Sequence, residues 1–192
     1  MLLIYTGGTI GMKQDVNDLT LKPFDFRQIL DEVPEIGKFA VKIDSFSFEP
    51  PIDSSDVEPT LWVKLASLIK ERYDDYDGFI VLHGTDTMAY SASALSFMLD
   101  GLTKPVVFTG SQLPIGVPRT DGRENLISAV EIASAKNSSG HPEVPEVCVC
   151  FASMLIRGNR ATKVNSEGFR AFQSPNFPPL AEAGISIRYN TE

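Results

Sequence analysis

Apolar residues follow two rhythms along this chain, and their alternation is what first limits the fold. Leu2-Leu3-Ile4-Tyr5, Phe79-Ile80-Val81-Leu82, Pro105 to Phe108 and Val147 to Phe151 are short apolar runs. Such runs are expected of parallel strands covered on both faces, since neither face can then be polar. Between the runs, apolar positions fall at helical spacing: Leu61, Trp62, Leu65, Leu68 and Ile69, then Met88, Ala92, Leu95 and Leu99, then Leu126, Ile127, Val130 and Ile132. Pro59 suits the first turn of the first helix, which should reach Arg72. Asp121 and Glu124 are spaced as a capping pair for the third, which should run to about Lys136. Strand and helix alternate with short turns, so the predicted class is α/β: a doubly wound, mainly parallel sheet with helices on both faces.

Other stretches carry weaker signals. Lys13 to Leu21 has neither period and reads as a mobile loop, a candidate lid beside Thr9. Phe26 to Val33 suits a short helix that Pro34 closes. Alternating Phe39, Val41, Ile43, Phe46 and Phe48 predict one strand ending at Pro50-Pro51. Beyond Ala152 the alternation stops: Met154 to Ser166 is polar and basic, and Pro175, Pro178 and Pro179 argue against regular structure. There is no internal repeat or low-complexity tract.

At 192 residues, with 43% hydrophobic and 22% charged content, the chain can bury a substantial core. Seventeen basic residues against twenty-five acidic ones give a net charge of −8. No Lys/Arg cluster stands out, which argues against nucleic acid and anionic membrane as partners. Cys148 and Cys150 lie two apart on one predicted strand and so share a face, where buried, reduced thiols are expected. With no segment near 18 apolar residues and no signal-peptide pattern, the expected location is cytoplasmic. The acidic turn Asp74-Asp75-Tyr76-Asp77-Gly78 reads as a solvated loop, without a partner motif for a metal.

Chemistry concentrates at the carboxyl ends of the predicted strands, where doubly wound sheets bind ligands. The first strand runs into Thr6-Gly7-Gly8-Thr9-Ile10-Gly11, the next into His83-Gly84-Thr85-Asp86-Thr87, the third into Thr109-Gly110-Ser111-Gln112. The glycine spacing fits neither a dinucleotide fingerprint nor a phosphate loop. Two hydroxyls and a carboxylate can converge on one crevice, and a threonine nucleophile needs an adjacent base, for which Lys163 is a candidate. Each residue has a plainer alternative. The glycine turn can merely end a strand, Thr85-Asp86 can cap the following helix, and His83 can be hydrogen-bonded structure rather than a base. Ser54-Ser55 can be a simple turn, and Lys163 an exposed lysine.

Taken together, the motifs resemble the bacterial-type L-asparaginases, and among them the cytoplasmic type. The resemblance rests on Tyr5 to Met12, Asp53-Ser54-Ser55-Asp56, Asp74 to Gly78 leading into His83 to Tyr90, Thr109-Gly110-Ser111-Gln112, Arg157 to Lys163 and Ser174-Pro175-Asn176, in order along nearly the whole chain. It implies a flavodoxin-like sheet and hydrolysis of L-asparagine to L-aspartate and ammonia. By resemblance Thr9 is the nucleophile that forms an acyl-enzyme, and Thr85, Lys163 and Asp86 form a second catalytic group in which Asp86 also receives the substrate's α-ammonium. Asp53, Ser54 and Ser55 match the segment that grips the α-carboxylate, with Gly8, Gly84 and Ser111 completing the substrate-binding set. Thr162 matches a position of an allosteric asparagine site. The resemblance implies no metal and no organic cofactor, and it implies a homo-oligomer, a dimer or tetramer.

Two departures stand out. The family commonly places a tyrosine in the loop after the nucleophile, whereas Lys13 to Leu21 has none and Leu19 or Leu21 falls near that position. Family members also continue into a smaller C-terminal domain, so residues 1–185 are expected to be an N-terminal catalytic domain and 186–192 the start of a linker. Two other readings follow from these residues: a non-catalytic amino-acid-binding fragment, or the ammonia-donor subunit of a tRNA-dependent amidotransferase.

Overall fold

A computed structural model of the protein describes residues 1–14, 21–23, 29 and 31–190. Five strands run parallel: β1 (Leu2–Tyr5), β4 (Asp44–Ser47), β5 (Phe79–Leu82), β6 (Val106–Thr109) and β7 (Val147–Phe151). Their order across the sheet is β4-β1-β5-β6-β7, the flavodoxin-like winding in which the chain goes first to one side of β1 and then to the other. The topological switch point therefore lies between β1 and β5.

Burial explains the unbroken apolar runs. Leu3, Tyr5, Ile80, Leu82, Val107, Cys148 and Cys150 pack on one face against Leu126, Ala129, Val130 and Ala133 of helix α3 (Gly122–Ser134). Leu2, Ile4, Phe79, Val81, Phe108 and Val149 pack on the other. That face is covered by Leu65 and Ile69 of α1 (Pro59–Glu71) and by Met88, Ala92 and Leu95 of α2 (Met88–Met98). A side chain on either face enters a core, so both must be apolar.

Where the sequence signals were weak, the structure differs from the expectation. The predicted strand from Phe39 to Phe48 is only β4. It lies at the sheet edge with mostly exposed side chains, while Phe39, Val41 and Ile43 pack on the core without strand pairing. Pro34 opens a 3-10 turn, Pro34–Lys38, rather than simply closing a helix. Of the predicted helix before it, Ile29, Asp31 and Glu32 are helical and Phe26 to Gln28 lie outside the described residues. The ends of the predicted loop Lys13 to Leu21 pair as a short antiparallel ribbon, β2 (Met12–Gln14) with β3 (Leu21–Pro23). Asp15 to Thr20, Leu19 among them, lie outside the described residues.

The stretch beyond Ala152 is more regular than its composition predicts. Strand β8 (Met154–Arg157) turns back antiparallel on β7, with Leu155 and Ile156 buried. A two-stranded ribbon follows, β9 (Thr162–Lys163) with β10 (Phe172–Gln173). Then β11 (Ala181–Ala183) pairs with β8, and β12 (Ile187–Tyr189) closes that edge of the sheet, so residues expected to begin a linker form a strand. The capping pair also resolves differently. Asp121 makes no cap hydrogen bond, and the Gly122 N–H donates instead to Thr120 Oγ1 at 3.0 Å.

Both cysteines share the α3 face and are fully buried as free thiols. Burial pushes the Cys150 thiol up to about 12 and raises Cys148 as well. Because the thiolate is the reactive form, a disulfide-exchange reagent at pH 8 should leave both cysteines unmodified in the folded protein and titrate both in denaturant. Rapid labelling under native conditions would contradict this placement.

Candidate active site

The turns after β1, β4 and β5 meet at the switch point, and their glycines let them touch. Thr6 is tied to β5, its N–H and Oγ1 both donating to Leu82 O at 3.0 Å. Gly8 follows at φ 93°, and a Cβ there would lie 2.5 Å from both Cα and N of Gly84. Only glycine meets both demands. A Cβ on Gly84 would in turn collide with the Ser54 side chain. Half-buried Thr9, which opens a 3-10 turn, and Thr85 are thus the next residues along two backbones in contact. Among the described residues no group hydrogen-bonds the Thr9 hydroxyl.

Lys163 reaches this point from β9. Its Nζ donates to Thr85 Oγ1 at 2.8 Å and to Asp86 Oδ1 at 2.8 Å. Phe172, its partner across the ribbon, is buried and packs edge-on against Phe151 at 5.0 Å between centroids, which anchors the ribbon to the sheet. The lysine side chain is 17% exposed and the Asp86 side chain 59%. The hydrogen bond from Lys163, more than any other influence, holds the Asp86 carboxyl below the usual carboxylate range. Neither Thr85 nor Asp86 caps α2, whose first turn carries no side-chain cap.

The remaining predicted residues divide. Ser54 is buried, donates to Asp86 Oδ2 at 3.3 Å and accepts from Asp86 N at 3.4 Å, so it braces the Thr85-Asp86 turn. Asp53 Oδ1 accepts from Ser55 N and Ser55 Oγ, both at 2.9 Å, folding an exposed loop beside it. Ser111 is buried, and its hydroxyl donates to Leu113 O at 2.5 Å. Thr162 is exposed and lines a cavity of about 630 Å³ shared with Asp86, Tyr90, Lys163 and Asn165. Another cavity, of about 420 Å³, lies at the amino ends of β1, β4 and β5 around Met1, Asp44 and Asp77. Among the described residues no cluster of three or more His, Cys, Asp or Glu is placed to hold a metal ion.

Gln112 is the residue whose role sequence reasoning left unassigned. Thr85 Oγ1 donates to its Oε1 at 3.2 Å, while its Nε2 donates to Ser166 O and Gly168 O, each at 3.1 Å. Nothing in the chain's periodicity marks that contact.

The whole of this chain, residues 1–192, matches the family profile described as Asparaginase, N-terminal. The chain belongs to the asparaginase family. Over 187 residues it is 48% identical to L-asparaginase 1 of Escherichia coli K12, covering 96% of this chain and 53% of that protein. It superposes on L-asparaginase I of Vibrio cholerae with a TM-score of 0.86 at 44% identity, covering 99% of this chain and 55% of that one. The thermostable L-asparaginase of Thermococcus kodakarensis gives 0.88 at 34%, covering 100% and 56%. The chain spans about half the length of these relatives. No described helix is long and apolar enough to cross a membrane.

In this asparaginase domain His83 is a strut rather than a base. It is buried, its Nδ1 lies 2.8 Å from Gly84 O and its Nε2 2.9 Å from Ser91 Oγ, which accepts from Trp62 Nε1 at 2.9 Å. A carbonyl can only accept, so Nδ1 carries the proton and Nε2 receives the Ser91 hydroxyl. Desolvation lowers its pKa from 6.5 to about 4. A buried neutral histidine opposes acid: the unfolded chain binds the proton first, so stability is lost as pH falls from about 6.5 towards about 4. Unfolding free energy should fall by about 2 kcal/mol between pH 7 and pH 5 on this account, and by clearly less in His83→Gln. Equal losses in the two proteins, measured by urea unfolding at both pH values, would exclude it.

Proposed function

We propose that this domain carries the catalytic apparatus of an L-asparagine amidohydrolase, releasing ammonia and L-aspartate. The observation that carries the proposal is Lys163 Nζ at 2.8 Å from both Thr85 Oγ1 and Asp86 Oδ1, beside a glycine turn that presents Thr9. Thr9 Oγ attacks the side-chain amide carbon, the C–N bond breaks, and ammonia leaves with the proton that Thr9 gives up. Water then attacks the ester, regenerating Thr9 and freeing aspartate. Backbone N–H groups of the Gly8-Thr9 and Gly84-Thr85 turns would bind the oxyanion, each worth roughly 3 to 4 kcal/mol in other acyl-transfer enzymes.

The second group supplies electrostatics and order. The Lys163 ammonium, hydrogen-bonded to Thr85 Oγ1, lowers the cost of negative charge developing on that oxygen as it handles a proton of the attacking species. Asp86 remains ionised through its bond to Lys163. With its carboxylate more than half exposed, it keeps lone pairs for a substrate α-ammonium. The α-carboxylate is assigned to the Asp53-Ser54-Ser55 turn, with Gly8, Gly84 and Ser111 closing the pocket. Thr162, on the neighbouring cavity, is assigned to a regulatory asparagine site. The exposed Tyr90 and Phe97 of α2 favour a homo-oligomer, and the likeness to L-asparaginase 1 favours a cytoplasmic protein. The domain is read as working with a further C-terminal domain, as the greater length of its relatives suggests.

The test is ammonia release from L-asparagine, on this chain and on the chain completed to the length of its relatives. Thr9→Ala and Lys163→Met should each lower turnover far more than tenfold; a loss under about 1.4 kcal/mol in the barrier would overturn the assignment of roles. Asparagine binding without ammonia release in both forms would point to a binding module.

A further inference from the structure

Asp121 is the best capping residue near the start of α3 and does not cap it. Its backbone is already helical, at φ −83° and ψ −12°. Its carboxylate instead points to the turn after β6, accepting from Gln112 N with both oxygens at 3.0 Å and from Leu113 N at 3.2 Å. One helical turn later Asn125, 3% exposed, completes the arrangement. Its Nδ2 donates to Gly110 O at 2.9 Å and to Asp121 Oδ2 at 3.3 Å, and its Oδ1 accepts from Ala152 N at 3.0 Å. Both amide donors and the acceptor are engaged, and exchanging O for N would set acceptor against acceptor at Gly110. The orientation is therefore forced.

We propose that Asp121 and Asn125 are positioning residues that hold the Gln112 amide against the Thr85 hydroxyl. Asp121 fixes the backbone of Gln112. The Gln112 Nε2 then lies between two carbonyls, Ser166 O and Gly168 O, which leaves only Oε1 to face Thr85. The Thr85 proton must point at Oε1, so the lone pairs of Oγ1 are turned elsewhere and Lys163 takes one of them. The rotation of a hydroxyl in the proposed catalytic group is thereby set by a carboxylate that touches neither it nor the lysine. Glycine at position 122 suits this packing: a Cβ there would sit 3.2 Å from Ser111 Cβ and 3.3 Å from Ile10 Cγ1, crowding the helix start away from the turn.

The kinetic consequence rests on the asparaginase reading, and the geometric one does not, so the experiment has an arm for each. In the wild-type protein, NMR should detect a coupling across the hydrogen bond between Gln112 N and the Asp121 carboxyl carbon. It should also find Gln112 side-chain amide protons slower to exchange than those of a solvated glutamine. Absence of the coupling together with rapid exchange would overturn the proposal whether or not the protein is active. In the active enzyme, Asp121→Asn replaces one acceptor oxygen by an NH₂ group at unchanged size, which opposes Gln112 N and Asn125 Nδ2 in one orientation and both turn N–H groups in the other. It should lower kcat at least tenfold with KM within threefold, and add less than twofold to the loss caused by Gln112→Ala. If the two losses multiply in the double variant, or if kcat is unchanged, Asp121 does not act through Gln112. Should Asp121→Asn fail to fold, the wild-type coupling and exchange rates decide alone.

Discussion

The approach of two backbones at Gly8 and Gly84 is the constraint on which the rest of the site depends. Adjacent parallel strands lie about 4.8 Å apart, and any side chain between their continuing turns would force them apart. With glycine on both sides the turns stay in contact after the strands end, and Thr9 and Thr85 inherit the spacing of the sheet rather than that of a loop. This can happen only at the switch point, where the chain leaves β1 and β5 towards different neighbours and opens a crevice between them. Side chains placed in this way move with the rigid part of the molecule.

Lys163 has no such inheritance, since it arrives from outside the parallel sheet on a ribbon of two-residue strands. Its precision comes from tertiary anchoring. Phe172 is buried against Phe151, and Gly158 lies where a Cβ would strike Ser96 and the carbonyls of Ala92 and Val147. Arg157 makes a two-point contact with Glu146, at 2.6 and 3.1 Å, and stacks on Phe177 at 4.5 Å. An ion pair as open to solvent as Lys163 with Asp86 adds little to stability by itself. Its value lies in orientation, because the scaffold has already met the entropic cost of bringing the lysine there.

The contrast between these two routes explains what the sequence disclosed. β1, β5, β6 and β7 and helices α1, α2 and α3 were legible because each is buried by its own neighbours, so their apolar rhythm is a direct image of the core. β4 was only partly legible and β11 and β12 were not, since these three- and four-residue strands at or next to a sheet edge bury few side chains and carry no apolar run. β8, with buried Leu155 and Ile156, was obscured by its basic surroundings. Thr9, Thr85, Asp86 and Lys163 could be picked out as strand-end hydroxyls, a carboxylate and a candidate base. Gln112 and Asp121 could not: the side-chain partners of Gln112 lie across the fold and give a glutamine beside a glycine turn no periodic signature, and an aspartate three residues before a glutamate is locally a capping pair. Only the folded path of the chain back to the turn N–H groups of Gln112 and Leu113 reveals the other use of Asp121.

The charge states around the Thr85 turn follow from the same separation of buried and open groups. Beneath it the His83 imidazole is enclosed, and desolvation keeps it neutral down to about pH 4. Above it Asp86 stays ionised because the lysine bonds to it, again to below the ordinary carboxylate range. Burial favours the neutral form of one group and pairing the charged form of the other, and both shifts move titration away from neutrality. Between about pH 5 and pH 8 neither changes charge, so the field at Thr85 from these two neighbours is constant over that range. A histidine free to titrate there would switch a second positive charge on and off two residues from the hydroxyl. Its sequestration with Ser91 and Trp62 keeps that charge off the turn, and among the described residues Lys163 is the cation bonded to Thr85.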